Sequence, residues 1–371
     1  MRDSAPTGRL RVGVIGTGMV AQVMHLHFLR ELRDCYVVEA LCDLSGDTAR
    51  KCAEEYGVPV VHTDWKALLD EDLDAVLVLT SGSHAAIAVE AARRGRHVFV
   101  EKPMSFSVDE GRSMVSAAKE AGVMLMVGYP KRYDPAFDRF REEAARMQHP
   151  KFMRVTTFES PFQPYIAHYP LLRGEPPRTE VLKELQRDTR AALEAAIGTT
   201  EDLYVRTYHM VLLDTLVHEI NTVRGVLGEP DSLDYVDIRP DSLTVMLSFG
   251  AVPVAIHWLD LPGMARYLME FALYADERRA TLSFPSPFLR NVPTTLTVEG
   301  GDGGGARSWR TEEVTSYQSA FRRELEIFHN AIRGGTPPMT DGVDGLRDIA
   351  LCQAIITSAR EQRPVDAPTA L

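Results

Sequence analysis

Gly16-Thr17-Gly18-Met19-Val20-Ala21 follows the apolar run Leu10 to Ile15 and opens a segment with helical spacing. A dinucleotide pyrophosphate needs close backbone approach and N–H groups aimed at it, and this run supplies both. Gly16 permits the tight turn, Gly18 removes the side chain where the phosphates approach, and Ala21 lets helix and strand pack closely. Thr17, Met19 and Val20 lend backbone to the same turn. Asp43 closes the next apolar run, Tyr36 to Cys42, where a carboxylate accepts hydrogen bonds from the adenosine ribose and repels a 2'-phosphate. No arginine follows in Asp43-Leu44-Ser45-Gly46, so NAD is expected, with NADP the alternative. Two further stretches, Thr80-Ser81-Gly82-Ser83-His84 and Glu101-Lys102-Pro103, sit at the carboxyl ends of apolar runs. Ligands of parallel sheets bind outside such ends, so Thr80, Ser81, His84, Glu101 and Lys102 are candidate cofactor contacts. Pro103 holds Lys102 extended, which lets its ammonium point toward the ligand.

The elements that position these residues alternate. Apolar runs at 10–15, 36–42, 58–61, 75–79, 97–100 and 124–127 are each short, and helical patterns separate most of them. That rhythm predicts a parallel sheet covered on both faces, joined by right-handed crossovers: a doubly wound Rossmann domain over about residues 8–130. Met19 to Leu32 and Tyr208 to Leu227 each read as one helix, and Thr179 to Ile197 as a long charged one. From Ser232 to Val298 strands follow one another across short turns, which predicts a large, mostly antiparallel open sheet. The second domain, 131–371, is therefore expected to be α+β, and the whole chain α/β in class. Its C-terminal helices are expected to pack back on the first domain. An insertion rich in proline and aromatics lies near 161–207. The glycine run Gly300 to Gly305 lacks the Lys-Ser/Thr of a phosphate loop and reads as a flexible surface hairpin.

Composition narrows the classes. The chain has 371 residues, 45 % hydrophobic and 25 % charged, with a formal net charge of -11. Two domains are expected at this length. An acidic balance gives no footprint for a nucleic-acid partner, and no run approaches the about 20 apolar residues that span a bilayer. The four cysteines form no CxxC pair, so buried thiols, a cytoplasmic location and no metal centre are expected. Met1 to Arg9 is polar and reads as a disordered lead-in.

The assembled motifs resemble the glucose-fructose oxidoreductase / inositol dehydrogenase (Gfo/Idh/MocA) family. The resemblance is carried by Gly16-x-Gly18-x-x-Ala21, Glu101-Lys102-Pro103 after His97-Val98-Phe99-Val100, and Gly128-Tyr129-x-x-Arg132-Tyr133-x-Pro135. Asp214-Thr215-Leu216-Val217-His218-Glu219-Ile220 is similar to the family's catalytic helix. It implies hydride transfer between a nicotinamide cofactor and a secondary hydroxyl of a sugar, sugar derivative or cyclitol. It implies His218 as proton acceptor, Lys102 aligning the hydroxyl and Asp214 supporting the site. It also implies a homodimer or homotetramer. Tyr129, Arg132 and Tyr165 join Lys102, Asp214 and His218 as expected substrate contacts, in a cleft between the domains. The spacing of Asp214 and His218 would put both on one α-helical face. Two departures stand out: Tyr208 to Leu213 replace a glycine-rich turn, and Asn221 stands where an acid is frequent. Two alternatives remain at this point. One is an enzyme that retains NAD and uses transient oxidation for elimination or epimerisation. The other is a catalytically inactive nucleotide-binding regulator.

Overall fold

The computed structural model describes residues 8–368, so the lead-in expected at the N-terminus lies, up to residue 7, outside the described residues. Two compact units emerge, and the chain alternates between them. The first holds residues up to 129, then 169–198 and 321–349; the second holds 130–168, 199–320 and 350 onward. The sequence suggested a single boundary near 130. The structure instead groups most of the 161–207 insertion with the first unit.

The first unit is built on six parallel strands: β1 (Leu10–Ile15), β2 (Tyr36–Cys42), β3 (Val60–His62), β4 (Ala75–Val78), β5 (His97–Glu101) and β6 (Leu125–Gly128). Their order is β3-β2-β1-β4-β5-β6, so the direction of winding reverses between β1 and β4. Ligands of doubly wound sheets bind at the carboxyl ends beside that reversal. All four residues of β4 are buried, as a strand covered on both faces requires. The crossover helices carry explicit stop and start signals. Ser45 caps Gly46–Tyr56 by accepting from the Thr48 amide, and Gly57 ends it in the left-handed region. Ser107 and Gly122 do the same for Val108–Ala121. The segment after β1 departs from the expected single α-helix: Ala21–His25 is a π-helical turn that runs into a short α-helix, Leu26–Glu31. Late chain completes this unit. The Tyr36 hydroxyl donates to the Leu325 carbonyl, the Val127 amide donates to the Thr340 carbonyl at 2.8 Å, and the Thr340 hydroxyl donates back to the Val127 carbonyl at 2.7 Å.

The second unit carries a nine-stranded sheet: β7 (Phe152–Glu159), β8 (Ser232–Arg239), β9 (Ser242–Phe249), β10 (Val252–Asp260), β11 (Leu268–Tyr274), β12 (Arg278–Phe284), β13 (Thr295–Gly301), β14 (Ser308–Val314) and β15 (Val365–Asp366). The order is β14-β13-β12-β11-β7-β10-β9-β8-β15. Neighbours are antiparallel except β7 and β10, which run parallel because long helical chain separates them. Alternation sets one buried face: Leu243, Val245, Leu247 and Phe249 of β9 are buried and the residues between them half-exposed. The glycine run is the turn of the antiparallel β13–β14 hairpin. Sequence reading missed β14 because six of its seven residues are exposed, leaving no apolar alternation to see.

Candidate functional site

The first unit builds a dinucleotide turn. Gly16 has φ +97°, and a Cβ there would sit 2.7 Å from the Leu79 carbonyl carbon, so only glycine fits between β1 and β4. Its amide donates to the Cys42 carbonyl at 2.8 Å, pinning the turn to the end of β2. Gly18 is the opposite case: a Cβ there meets nothing within 4 Å. That open, exposed position beside Thr17, Met19 and Val20 fits the place a pyrophosphate takes, and the residues present suit the group. Asp43 braces the cradle. One carboxylate oxygen accepts from the Thr17 amide (2.8 Å) and hydroxyl (2.9 Å), the other from the Ser45 amide (2.9 Å). Carboxylate oxygens accept more than one bond each, so ribose hydroxyls can still be received.

The loops after β4 and β5 divide differently from the sequence expectation. Thr80 is half-buried and Ser81 exposed at the carboxyl end of the sheet. His84 is buried; its ring nitrogens lie 2.8 Å from the Pro103 and Thr80 carbonyls, and burial pushes its proton affinity below the ordinary histidine range. It ties the two loops together. Glu101 is buried as well. Burial alone would raise its carboxyl, but the 2.6 Å bond to His25 and the charge of Lys102 outweigh that and hold it below the usual range. The Lys102 amide donates to the same carboxylate at 3.1 Å. Glu101 therefore anchors the backbone under Lys102, while Lys102 itself is half-buried. Ligand atoms of His25, Glu101 and Glu324 lie within 4.8 Å of one another, a buried group that no local spacing in the sequence announced. Phe99 and Phe321 set their rings edge-on around His25.

The second unit holds Asp214 and His218. Thr207–Leu216 is a π-helix, and Val217–Leu227 continues it as an α-helix. The widened turn occupies the stretch where the expected glycine-rich turn is missing. Asp214 is exposed and His218 half-buried, so the simple α-helical face predicted from their four-residue spacing is replaced by a wider helix carrying Asp214 and an ordinary one carrying His218. Next to His218, Glu219 is fully buried and accepts from the Thr157 hydroxyl. Burial pushes its carboxyl up to about 7, while Lys131 and Thr157 oppose that rise. Glu159 is likewise raised by burial, against hydrogen bonds from Trp258 and Thr215. Sequence reasoning missed Glu219, Glu159 and Lys131; an acid directly beside the proposed base was the available signal.

Of the expected substrate contacts, Arg132 and Tyr165 have partners within the second unit. The Arg132 guanidinium is buried, donates to the Asn221 carbonyl at 3.0 Å and lies over the Phe137 ring. A Cβ on Gly225 would be 2.4 Å from its Nε. It holds the helix carrying His218. The Tyr165 hydroxyl donates to the Ala265 carbonyl and accepts from the Tyr267 amide at 2.8 Å, so it ties its segment to the start of β11. Tyr129 is buried at 1 % exposure.

Residues 10–129 match the oxidoreductase family, NAD-binding Rossmann fold, and residues 293–367 match that family's C-terminal alpha/beta domain. The chain belongs to the Gfo/Idh/MocA oxidoreductase family. NAD(H) is therefore its cofactor, in accord with the open turn at Gly18. Similar proteins run the full length of this family member. The myo-inositol 2-dehydrogenase of Thermotoga maritima is 24 % identical, with 96 % of this chain and 98 % of that protein covered. The D-apiose dehydrogenase of Paraburkholderia graminis is also 24 % identical, covering 96 % and 90 %. A levoglucosan dehydrogenase solved in complex with NADH shares the fold at a TM-score of 0.74 and 18 % identity, covering 98 % of this chain and 100 % of that one. Among the described residues, no helix of this oxidoreductase is long and apolar enough to cross a membrane.

Proposed function

We propose that the protein is an NAD-dependent dehydrogenase that oxidises a secondary hydroxyl of a sugar, sugar derivative or cyclitol, and reduces the matching ketone in reverse. The observation that carries this reading is Lys102: a half-buried cation at the carboxyl end of β5, on backbone anchored by buried Glu101, in a sheet whose adjoining turn suits a dinucleotide. The relatives' names supply the substrate class, since they act on an inositol and on apiose. NAD, when bound, accepts the hydride at its nicotinamide ring. Lys102 would donate a hydrogen bond to the reacting oxygen and lower the energy of the alkoxide charge that develops there. His218 would accept the hydroxyl proton at a ring nitrogen and return it during reduction. Asp214, exposed on the preceding turn, would bind substrate and favour the imidazolium that His218 becomes. Glu219 lies buried beside this base and Arg132 braces its helix through Asn221.

The test is a screen of inositols, aldoses, ketoses and anhydrosugars, following NADH absorbance at fixed protein with NAD and NADP in parallel. Turnover of one class with NAD supports the reading. Product formation with no net NADH would instead favour internal oxidation followed by elimination or epimerisation. NAD binding with no turnover of any of them would favour a regulator.

A further inference from the structure

The segment 172–178 is fastened to both halves of the dinucleotide cradle. On the phosphate side, the Leu172 amide donates to Gln22 Oε1 at 2.8 Å, and Gln22 Nε2 donates to the Leu172 carbonyl at 3.0 Å. The same Nε2 donates to the Thr17 carbonyl at 2.8 Å, inside the glycine turn. On the ribose side, the Gly174 amide donates to Thr48 Oγ1 at 2.9 Å and the Ser45 hydroxyl donates to the Glu175 carbonyl at 2.6 Å. The Glu175 amide reaches Asp47 at 3.1 Å, and Lys51 donates to the Arg173 carbonyl at 2.9 Å. Contact is close enough to require glycine: a Cβ on Gly174 would lie 2.4 Å from the Thr48 amide nitrogen. An exposed chain that makes this many directed bonds is held in one place, because each bond offsets part of the entropy of ordering it.

A cavity of about 650 Å³ opens where this segment meets the turn after β2, a volume within the range of about 300–1,000 Å³ typical of small-molecule sites. Leu44, Pro176, Pro177 and Val181 give it apolar walls, and Arg50 and Arg178 add guanidinium groups. Leu44 is 55 % exposed, directly after the carboxylate expected to receive the ribose. A purine attached to that ribose lies within one residue's reach. Flat aromatic bases are held by apolar contact and by stacking under guanidinium planes.

We propose that residues 172–181 are a clasp that closes over the adenosine half of the cofactor, walling the cavity beside Leu44 from outside. The proposal rests on NAD as the cofactor. Dinucleotide then enters and leaves when the Gln22–Leu172 and Ser45–Glu175 bonds open, and the clasp slows release as well as adding affinity.

Two variants test it. Gly174→Val forces the clasp off Thr48, and the double variant Pro176→Gly/Pro177→Gly strips the apolar wall without adding bulk, which keeps the test alive should the first fail to fold. Binding is measured by calorimetry with NAD, AMP and nicotinamide mononucleotide, and NADH release by stopped-flow fluorescence. Expected are a tenfold or greater rise in Kd for NAD and AMP, faster NADH release, and unchanged affinity for the mononucleotide. In the unmodified protein, AMP should slow tryptic cleavage after Arg173 and Arg178. Unchanged Kd for AMP in the variants, together with cleavage indifferent to AMP, overturns the clasp alone. A wild-type protein that binds neither NAD nor AMP overturns the cofactor reading, and the clasp with it.

Discussion

The roles proposed for His218 and Lys102 differ, and substitution separates them. His218→Ala is expected to bind NAD as the wild type does and to lose about 10²-fold or more in kcat for alcohol oxidation, the usual scale for a general base. The remaining rate should be flat toward acid, whereas wild-type oxidation falls as the imidazole takes up a proton. Lys102→Ala should lower kcat and raise substrate KM together; a variant at either position with wild-type kcat moves the chemistry elsewhere. Glu219 makes a different prediction. Its carboxyl sits at about 7 in the folded chain against 4.5 for an ordinary glutamate, through burial, with Lys131 and Glu159 the charges facing it. Between those values the folded protein keeps a proton that the unfolded chain releases, so this group's contribution to stability declines as pH rises through the window. Glu219→Gln removes the titration: Tm should fall less between pH 5 and pH 8 than in the wild type, and an equal fall in both would discard the assignment. At the residue scale, the glycine turn was legible because the close approach at Gly16 demands one residue type at one place. His84 and Glu101 were not, because their side chains turn inward to Pro103, Thr80 and His25, partners set by tertiary packing.

Elements were read well where periodicity was strong. All six strands of the parallel sheet and the run from β8 to β13 follow from apolar patterning and turn residues. The two π-helical stretches were invisible, since a widened turn keeps the apolar content of an α-helix and changes only its pitch. The helix Pro135–Arg146, with Asp134 at its cap and proline in its first turn, carried clear start signals that went unread. The β13–β14 hairpin offers a test at this scale. Its tip, Asp302 to Ala306, is exposed, and Asp302 closes the turn by accepting from the Gly304 and Ala306 amides. Replacing Gly303–Gly305 by a shorter Asn-Gly turn should leave kcat and NAD affinity unchanged and Tm within about 1 kcal/mol equivalent of wild type. A change in cofactor affinity would mean the glycine run has a role beyond a turn.

For the whole molecule, the expected homo-oligomer needs an apolar surface outside the core. Val252, Val254, Ile256 and Trp258 do alternate along β10, but each is at most 9 % exposed, so that face is the core of its own unit. The opposite face keeps a half-exposed cross-strand row in which Phe158 pairs with Leu259 on one side and Leu268 on the other. Self-association through this row is expected to bury it, and Phe158→Glu should lower the mass seen by light scattering at micromolar concentration; a monomeric wild type would remove the expectation. The alternation of the chain between units was hidden in the sequence, because segment 169–198 joins the first unit through backbone groups of Leu172, Gly174 and Glu175 that any residue type carries. That alternation bears on how the protein comes off the ribosome. The strands of the parallel sheet are made well before the segments that complete them, since Tyr36 and Val127 find their partners at Leu325 and Thr340. Synthesis must pass Thr340, 213 residues beyond Val127, before these polar groups can be paired. Until that point the flank of the sheet that they complete stands open, a state in which exposed surface favours misassembly and chaperone capture.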